Sequence, residues 1–188
     1  MLKRVVSFGL YLAVSVLLVL GNPSPGAAAR ASRGNDREQV VLVITGVIGP
    51  GAYRQFRRAM QRSKPDLILL EGPGGVLGEA LMIGQEIRRR GLSTLVAANG
   101  QCASACAVVF LSGRTKYVGR NASVGLHAAS DLNGRVNAKA TDLMSSYLRS
   151  LGVPRNVLRR MAATAPSDIR WLSRSEQRAL RFQAYPVR

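Results

Sequence analysis

The feature that most constrains this chain is the repeated pairing of an unbroken apolar run with an amphipathic one. Val40-Val41-Leu42-Val43-Ile44 is continuous, rich in β-branched residues and ended by Thr45-Gly46, and residues 51–62 then form a basic segment with Tyr53, Phe56 and Met60 on one side. Leu67-Ile68-Leu69-Leu70 repeats the apolar half and is broken by Gly72-Pro73-Gly74-Gly75. Leu77, Leu81, Gly84 and Ile87 then mark one face of a second helix that ends near Gly91. A strand without polar alternation is covered on both faces, which suits a parallel sheet between helices. The order strand, helix, strand, helix therefore predicts an α/β domain with a largely parallel sheet and flanking helices.

The pattern continues with a strand over Ser93–Ala98, a turn at Asn99–Ala103, and an apolar helix from Ser104 through Leu111 that stops at Gly113. Thr115–Val118 and Val124–Leu126 read as short strands around a turn. Helices follow over Ala138–Leu151 and Pro154–Thr164, with Pro154 suited to a first helical turn.

The amino terminus carries an address. Met1-Leu2-Lys3-Arg4 is positive, Val5 to Leu20 are sixteen uncharged, mostly apolar residues, and Ala27 and Ala29 suit a small-residue cleavage site. This is the layout of a secretory signal over residues 1–29, implying an exported, periplasmic protein, or one anchored in the inner membrane if the signal stays uncleaved. Residues 30–38 read as a flexible polar leader, and the folded domain is expected over residues 39–188.

Net charge is +17, and +15 once Lys3 and Arg4 leave with the signal. The arginines are spread over separate helices without an aromatic-rich recognition motif, so no nucleic acid is expected. An anionic membrane surface is the partner that an exported basic chain suggests. One His and two Cys exclude His-rich and four-ligand Cys/His metal sites, and the Gly72–Gly75 turn lacks the Gly-Lys-Ser/Thr ending of a phosphate-binding loop. No cofactor and no metal are expected.

Open α/β sheets place their chemistry beyond the carboxyl ends of strands. Two loops qualify. Gly72-Pro73-Gly74-Gly75 presents backbone N–H groups to an anion or oxyanion, or is a plain tight turn. Gly100-Gln101-Cys102-Ala103-Ser104-Ala105-Cys106 puts Ser104 at a strand-to-helix turn among small residues, where a serine is either a nucleophile or a helix cap. His127, the one histidine, stands at a strand end in Gly125-Leu126-His127-Ala128 and makes a Ser–His pair possible. Cys102 and Cys106 bracket Ser104 at a spacing of four residues. In an oxidising compartment they form a disulfide clamping the turn, or else they pack as small buried thiols.

Together these segments resemble the Clp protease/crotonase superfamily, and specifically exported relatives of the Clp protease proteolytic subunit. The likeness runs from about Val40 to Phe182. It rests on Glu71-Gly72-Pro73-Gly74-Gly75, Cys102-Ala103-Ser104-Ala105-Cys106, Gly125-Leu126-His127 placed 23 residues beyond Ser104, and Trp171-Leu172-Ser173-Arg174-Ser175-Glu176. The resemblance implies repeated β-β-α units, Ser104 as nucleophile, His127 as general base, and the N–H groups of Gly75 and Ala105 as oxyanion donors, with Gly74 the alternative first donor. The family's orienting Asp falls two residues before the aromatic of the terminal signature, where this chain has Ile169. Asp168 is the nearest carboxylate and the candidate third member.

The function expected is an exported serine peptidase (a hydrolase) acting on peptide or unfolded protein through an acyl-enzyme, with homo-oligomers implied by the family. Two alternatives accompany it: a non-catalytic periplasmic binding or assembly protein on the same fold, and acyl-CoA chemistry of the crotonase branch, which neither the address nor the Ser–His placement favours.

Overall fold

The computed structural model describes residues 5–8 and 39–185. The expected signal and leader fall outside these residues except for a short strand, β1 (Val5–Phe8), which pairs in parallel with β2 (Val41–Ile48). The chain continues through α1 (Ala52–Ser63), β3 (Leu67–Gly75), α2 (Leu77–Arg90), β4 (Ser93–Val96), β5 (Gln101–Ala103) and α3 (Ala105–Leu111). It then forms β6 (Lys116–Val118), β7 (Ser123–Leu126), α4 (Ala138–Ser150), α5 (Arg155–Ala163), β8 (Arg170–Trp171), α6 (Arg174–Ala179) and β9 (Phe182–Ala184). Among the described residues no helix is long and apolar enough to cross a membrane.

The strands form a mixed, mostly parallel sheet in the order β8-β7-β5-β3-β4-β6-β9, with β2 on β3 and β1 on β2. Among the described strands only β7 and β8 pair antiparallel. The continuous apolar runs have the expected cause. Leu42 and Ile44 join the helix-covered core with Phe56, Leu70, Ile83 and Phe110, whereas Val41 and Val43 join a second buried cluster with Leu67 and Leu95. Alternate residues of one strand thus enter two different apolar layers.

The sheet forks at β3. Its first half, Leu67–Leu69, pairs with β4, while Gly72 pairs with Cys102 of β5. This corrects two expectations. Gly72-Pro73-Gly74-Gly75 does not break the strand, because β3 runs on through it beside Val47 and Ile48, after a register shift between Thr45 and Val47. Gly75 lies against the Ile48 carbonyl where a Cβ would collide, so pairing continues only because no side chain is there. Likewise Gln101–Ala103, expected to belong to a turn, is a central strand, held between β3 and β7. Three residues are too few for periodicity to reveal; their neighbours impose the conformation.

Two polar ties hold the ends of the sheet that matter for the site. Glu79 in the first turn of α2 accepts from the N–H groups of Gly51 (2.9 Å) and Tyr53 (2.8 Å), satisfying the start of α1, whose own cap position is glycine. Glu176 of α6 is buried, accepts from the Arg170 guanidinium at 2.7 Å, and completes a capping box with Ser173, locking β8 against the helix that follows it. Burial pushes the Glu176 carboxyl up. The hydrogen bonds from Arg170 and Ser173, with the Arg170 charge, outweigh that and hold it below the usual carboxylate range.

A carboxylate depressed in the folded state stabilises the protein above its unfolded pKa and loses that contribution as pH falls through its folded value. Thermal stability is therefore expected to hold down to about pH 5 and to decline below roughly pH 4.5, the ordinary glutamate range. Melting curves across pH check this. Glu176→Gln should have a lower melting temperature at neutral pH and a shallower acid limb, and an unchanged limb would remove Glu176 from the account.

Candidate active site

Ser104 occupies the step from β5 into α3 with φ 56° and ψ −126°, a backbone region that residues with a Cβ rarely adopt. Its N–H donates to the Gly125 carbonyl at 2.9 Å, so β7 holds the turn from below. The hydroxyl makes no capping bond to α3, which sets aside the helix-cap reading of this serine. Backbone strain of this kind costs about 1–3 kcal/mol and persists only where surrounding structure enforces it. The enforcing structure is visible. Gly74 (φ 103°) presses so closely that a Cβ there would lie 2.6 Å from Ser104 Cβ and 2.7 Å from the Ala105 nitrogen. All seven residues of α3 are buried.

Cys102 and Cys106 are joined in a disulfide. It bridges β5 to the first turn of α3 and spans Ser104, and both half-cystines are buried. Closing so short a loop removes little chain entropy, about 2 kcal/mol. Reduction, or the double replacement Cys102→Ser/Cys106→Ser, is thus expected to lower stability by about that amount without unfolding the domain. Calorimetry with and without dithiol reductant measures it, and the double variant should not respond to reductant at all.

His127 follows β7, half-buried, with Nδ1 2.6 Å from the Ala128 carbonyl oxygen. A carbonyl only accepts, so this contact is a hydrogen bond only in a form with the proton on Nδ1. No hydrogen bond joins Ser104 Oγ to His127 among the described residues, yet both line one groove. No hydrogen bond joins Asp168 to the imidazole among the described residues. Asp168 is exposed, and its carboxylate accepts from the Ile169 N–H at 2.7 Å. The antiparallel register, Gly125 with Trp171 and Leu126 with Arg170, sets His127 opposite Ile169 when extended by one residue. The Ile169 side chain packs on Gly125, two residues from His127 and on the same face of the strand.

The groove has a volume of about 540 Å³ and is lined by Ser104, Ala105, Gly75 and His127, with Val47, Val76, Leu77, Leu132 and Met144 around them. Its rim is apolar and open to solvent: Val47 is 69% and Val76 42% exposed. Gly75, Ala105 and Ser104 thus share one cavity, while Gly74 packs behind the serine turn. Sequence reasoning missed the wall made by residues 129–132 and by Asn137, Ala140 and Met144. Its one legible trace was the helical face of α4, because the loop before it carries no motif.

The basic surface is largely unpaired. Among the described residues, ion pairs involve only Arg89 and Arg90 with Glu86, and Arg160 and Arg170 with Glu176. Arg54, Arg57, Arg58 and Arg62 are exposed along α1.

No protein-family model matches the chain. No curated protein matches it either. Solved structures do. A membrane-bound stomatin-specific protease, as an alanine variant, is similar with a TM-score of 0.55 at 19% identity, over 77% of each chain. A second alanine variant of that protease, in complex with a substrate peptide, gives a TM-score of 0.58 at 19% identity, over 77% of this chain and 73% of the other. The ClpP protease catalytic domain from Plasmodium falciparum gives 0.60 at 14% identity, over 78% and 85%. Likeness at such identities is a likeness of architecture, and it establishes that this chain has the Clp-protease fold.

Proposed function

We propose that the chain is an exported Clp-like serine peptidase that hydrolyses peptide bonds through an acyl-enzyme. The observation that carries this reading is Ser104 itself: a residue held at φ 56° with its hydroxyl unspent on capping, on the same groove as the sole histidine. In the proposed cycle Ser104 Oγ attacks the scissile carbonyl carbon as His127 Nε2 takes the hydroxyl proton. The oxyanion is met by the N–H groups of Ala105 and Gly75, with Gly74 as the alternative donor. Collapse expels the amine, which receives the proton from His127, and water assisted by the same imidazole then hydrolyses the ester. The complex of the structurally similar stomatin-specific protease with a substrate peptide supports a peptide as the substrate class. The buried Cys102–Cys106 disulfide supports the exported address, since such bonds persist in oxidising compartments. The test is a fluorophosphonate probe on the folded protein, with the adduct mapped by mass spectrometry. Modification of Ser104 is expected, and its absence would count strongly against hydrolysis.

A second reading follows from a specific observation: the lack of a Ser104–His127 hydrogen bond and of a carboxylate at Nδ1. It is a non-catalytic peptide-binding or assembly protein using the same groove. Equal peptide affinity for wild type and Ser104→Ala, with turnover by neither, would favour it.

A further inference from the structure

The polar group that reaches His127 is one peptide unit, and that unit is held from its other side. A trans peptide is planar, with its C=O and N–H directed oppositely, and the chain's described residues contain no cis bond. The Ala128–Ala129 peptide takes His127 Nδ1 on its carbonyl at 2.6 Å and donates its N–H to Thr141 Oγ1 at 3.0 Å. Fixing the N–H therefore fixes the direction of the C=O. Thr141, on α4, is only 5% exposed. Its hydroxyl donates to the Asn137 carbonyl at 2.8 Å, one turn back, which leaves the oxygen to accept the Ala129 N–H. The flanking groups are tied too. The Ala128 N–H donates to the Thr164 carbonyl at the end of α5 (3.0 Å), and the Asn137 N–H donates to the Ala129 carbonyl (2.8 Å). With the Asp168 carboxylate engaged by the Ile169 N–H, this relay is what meets Nδ1.

We infer that Thr141 is a positioning residue that acts through the Ala128–Ala129 peptide to hold His127 as its Nδ1–H tautomer, so that a main-chain carbonyl performs the orienting task of a carboxylate. The relay keeps the lone pair on Nε2, the nitrogen a base must use. A carbonyl offers a partial charge where a carboxylate offers a full one, so it supplies orientation more than stabilisation of the imidazolium. The arrangement also couples the site to α4 and α5, elements distant in sequence from Ser104. The catalytic meaning of the relay rests on the peptidase reading; the tautomer itself does not.

Because the chain has one histidine, its ring nitrogens give a single set of ¹⁵N resonances, and these report the tautomer directly. The expected result, in the full ¹⁵N-labelled chain in alkaline buffer, is an Nδ1–H pattern in wild type, loss of that pattern in Thr141→Val, and its return in Thr141→Ser. Labelling of Ser104 by fluorophosphonate should fall roughly tenfold or more in Thr141→Val and recover in Thr141→Ser, as expected when a group that orients a catalytic ligand is lost. An Nε2–H pattern in wild type, or an Nδ1–H pattern unchanged in Thr141→Val, would overturn the inference; a purely structural threonine would lower the melting temperature and leave the tautomer alone. Thr141→Ala serves if the valine variant does not fold, and the wild-type spectrum by itself retains the power to refute. Wild type that shows the Nδ1–H pattern but takes no label supports the relay and counts against the peptidase reading.

Discussion

Replacing Ser104 with alanine is expected to abolish fluorophosphonate labelling and to cut peptide hydrolysis by about a thousandfold or more, with the fold intact. The magnitude follows from the role: removing a nucleophile leaves only what binding and oxyanion donors contribute, and nucleophile deletions in serine hydrolases cost roughly 10³ to 10⁶ in turnover. The same change should shift stability by less than about 1 kcal/mol, because the hydroxyl makes no cap bond and alanine bears the same backbone strain as serine. A variant that loses activity and keeps its melting temperature thus isolates chemistry from folding. Hydrolysis that persists in purified Ser104→Ala would move the nucleophile elsewhere and remove the central claim.

Gly74→Ala should be nearly as damaging, and for a different reason. The new methyl group would sit 2.6 Å from Ser104 Cβ, 2.7 Å from the Ala105 nitrogen and 2.8 Å from the Ala103 carbonyl oxygen. None of these is the end of a flexible side chain, so the serine turn itself must move. Overpacking costs about 1–3 kcal/mol, and a left-handed backbone with a Cβ about 1–2 kcal/mol more, for a total of about 2–5 kcal/mol. Chemical denaturation should show that loss, and any remaining folded protein should label slowly, because Ser104 and the Ala105 N–H are displaced together. Gly78→Ala, four residues along, is the control. That glycine is exposed in α2 with nothing near the position of its Cβ, so alanine there should stabilise by about 0.5–1 kcal/mol. Equal behaviour of the two variants would mean that Gly74 does not press on the serine turn.

These two residues show how far the sequence could be read. Ser104 and Gly74 both stood out, one among small residues at a strand-to-helix step and one in a glycine cluster after a strand, because turn chemistry is local and leaves a local mark. The alternation of buried strands and amphipathic helices was legible for the same reason: period and burial are properties of a dozen consecutive residues. Thr141 left no such mark. It is an ordinary helical threonine on α4, and its importance arises only when Ala129 is brought against it. Asp168 shows the converse case. Proximity in sequence to the expected aromatic makes it the candidate third member, but its exposed carboxylate accepts from the Ile169 N–H, and no hydrogen bond joins it to His127 among the described residues.

What the sequence determined by itself was the layer architecture, the glycine-marked turns and the pair Ser104 and His127 as candidates, since each depends on short-range periodicity, steric freedom at glycine, or the rarity of a residue type. What only the tertiary structure decided was who meets whom: the fork at β3 that carries Gly74 against Ser104, the disulfide closed between Cys102 and Cys106, and the carbonyl that takes His127 Nδ1. Those outcomes depend on strand register and on hydrogen bonds between segments far apart in the chain. A one-residue slip in register turns each side chain to the other face of the sheet, and no local pattern records it.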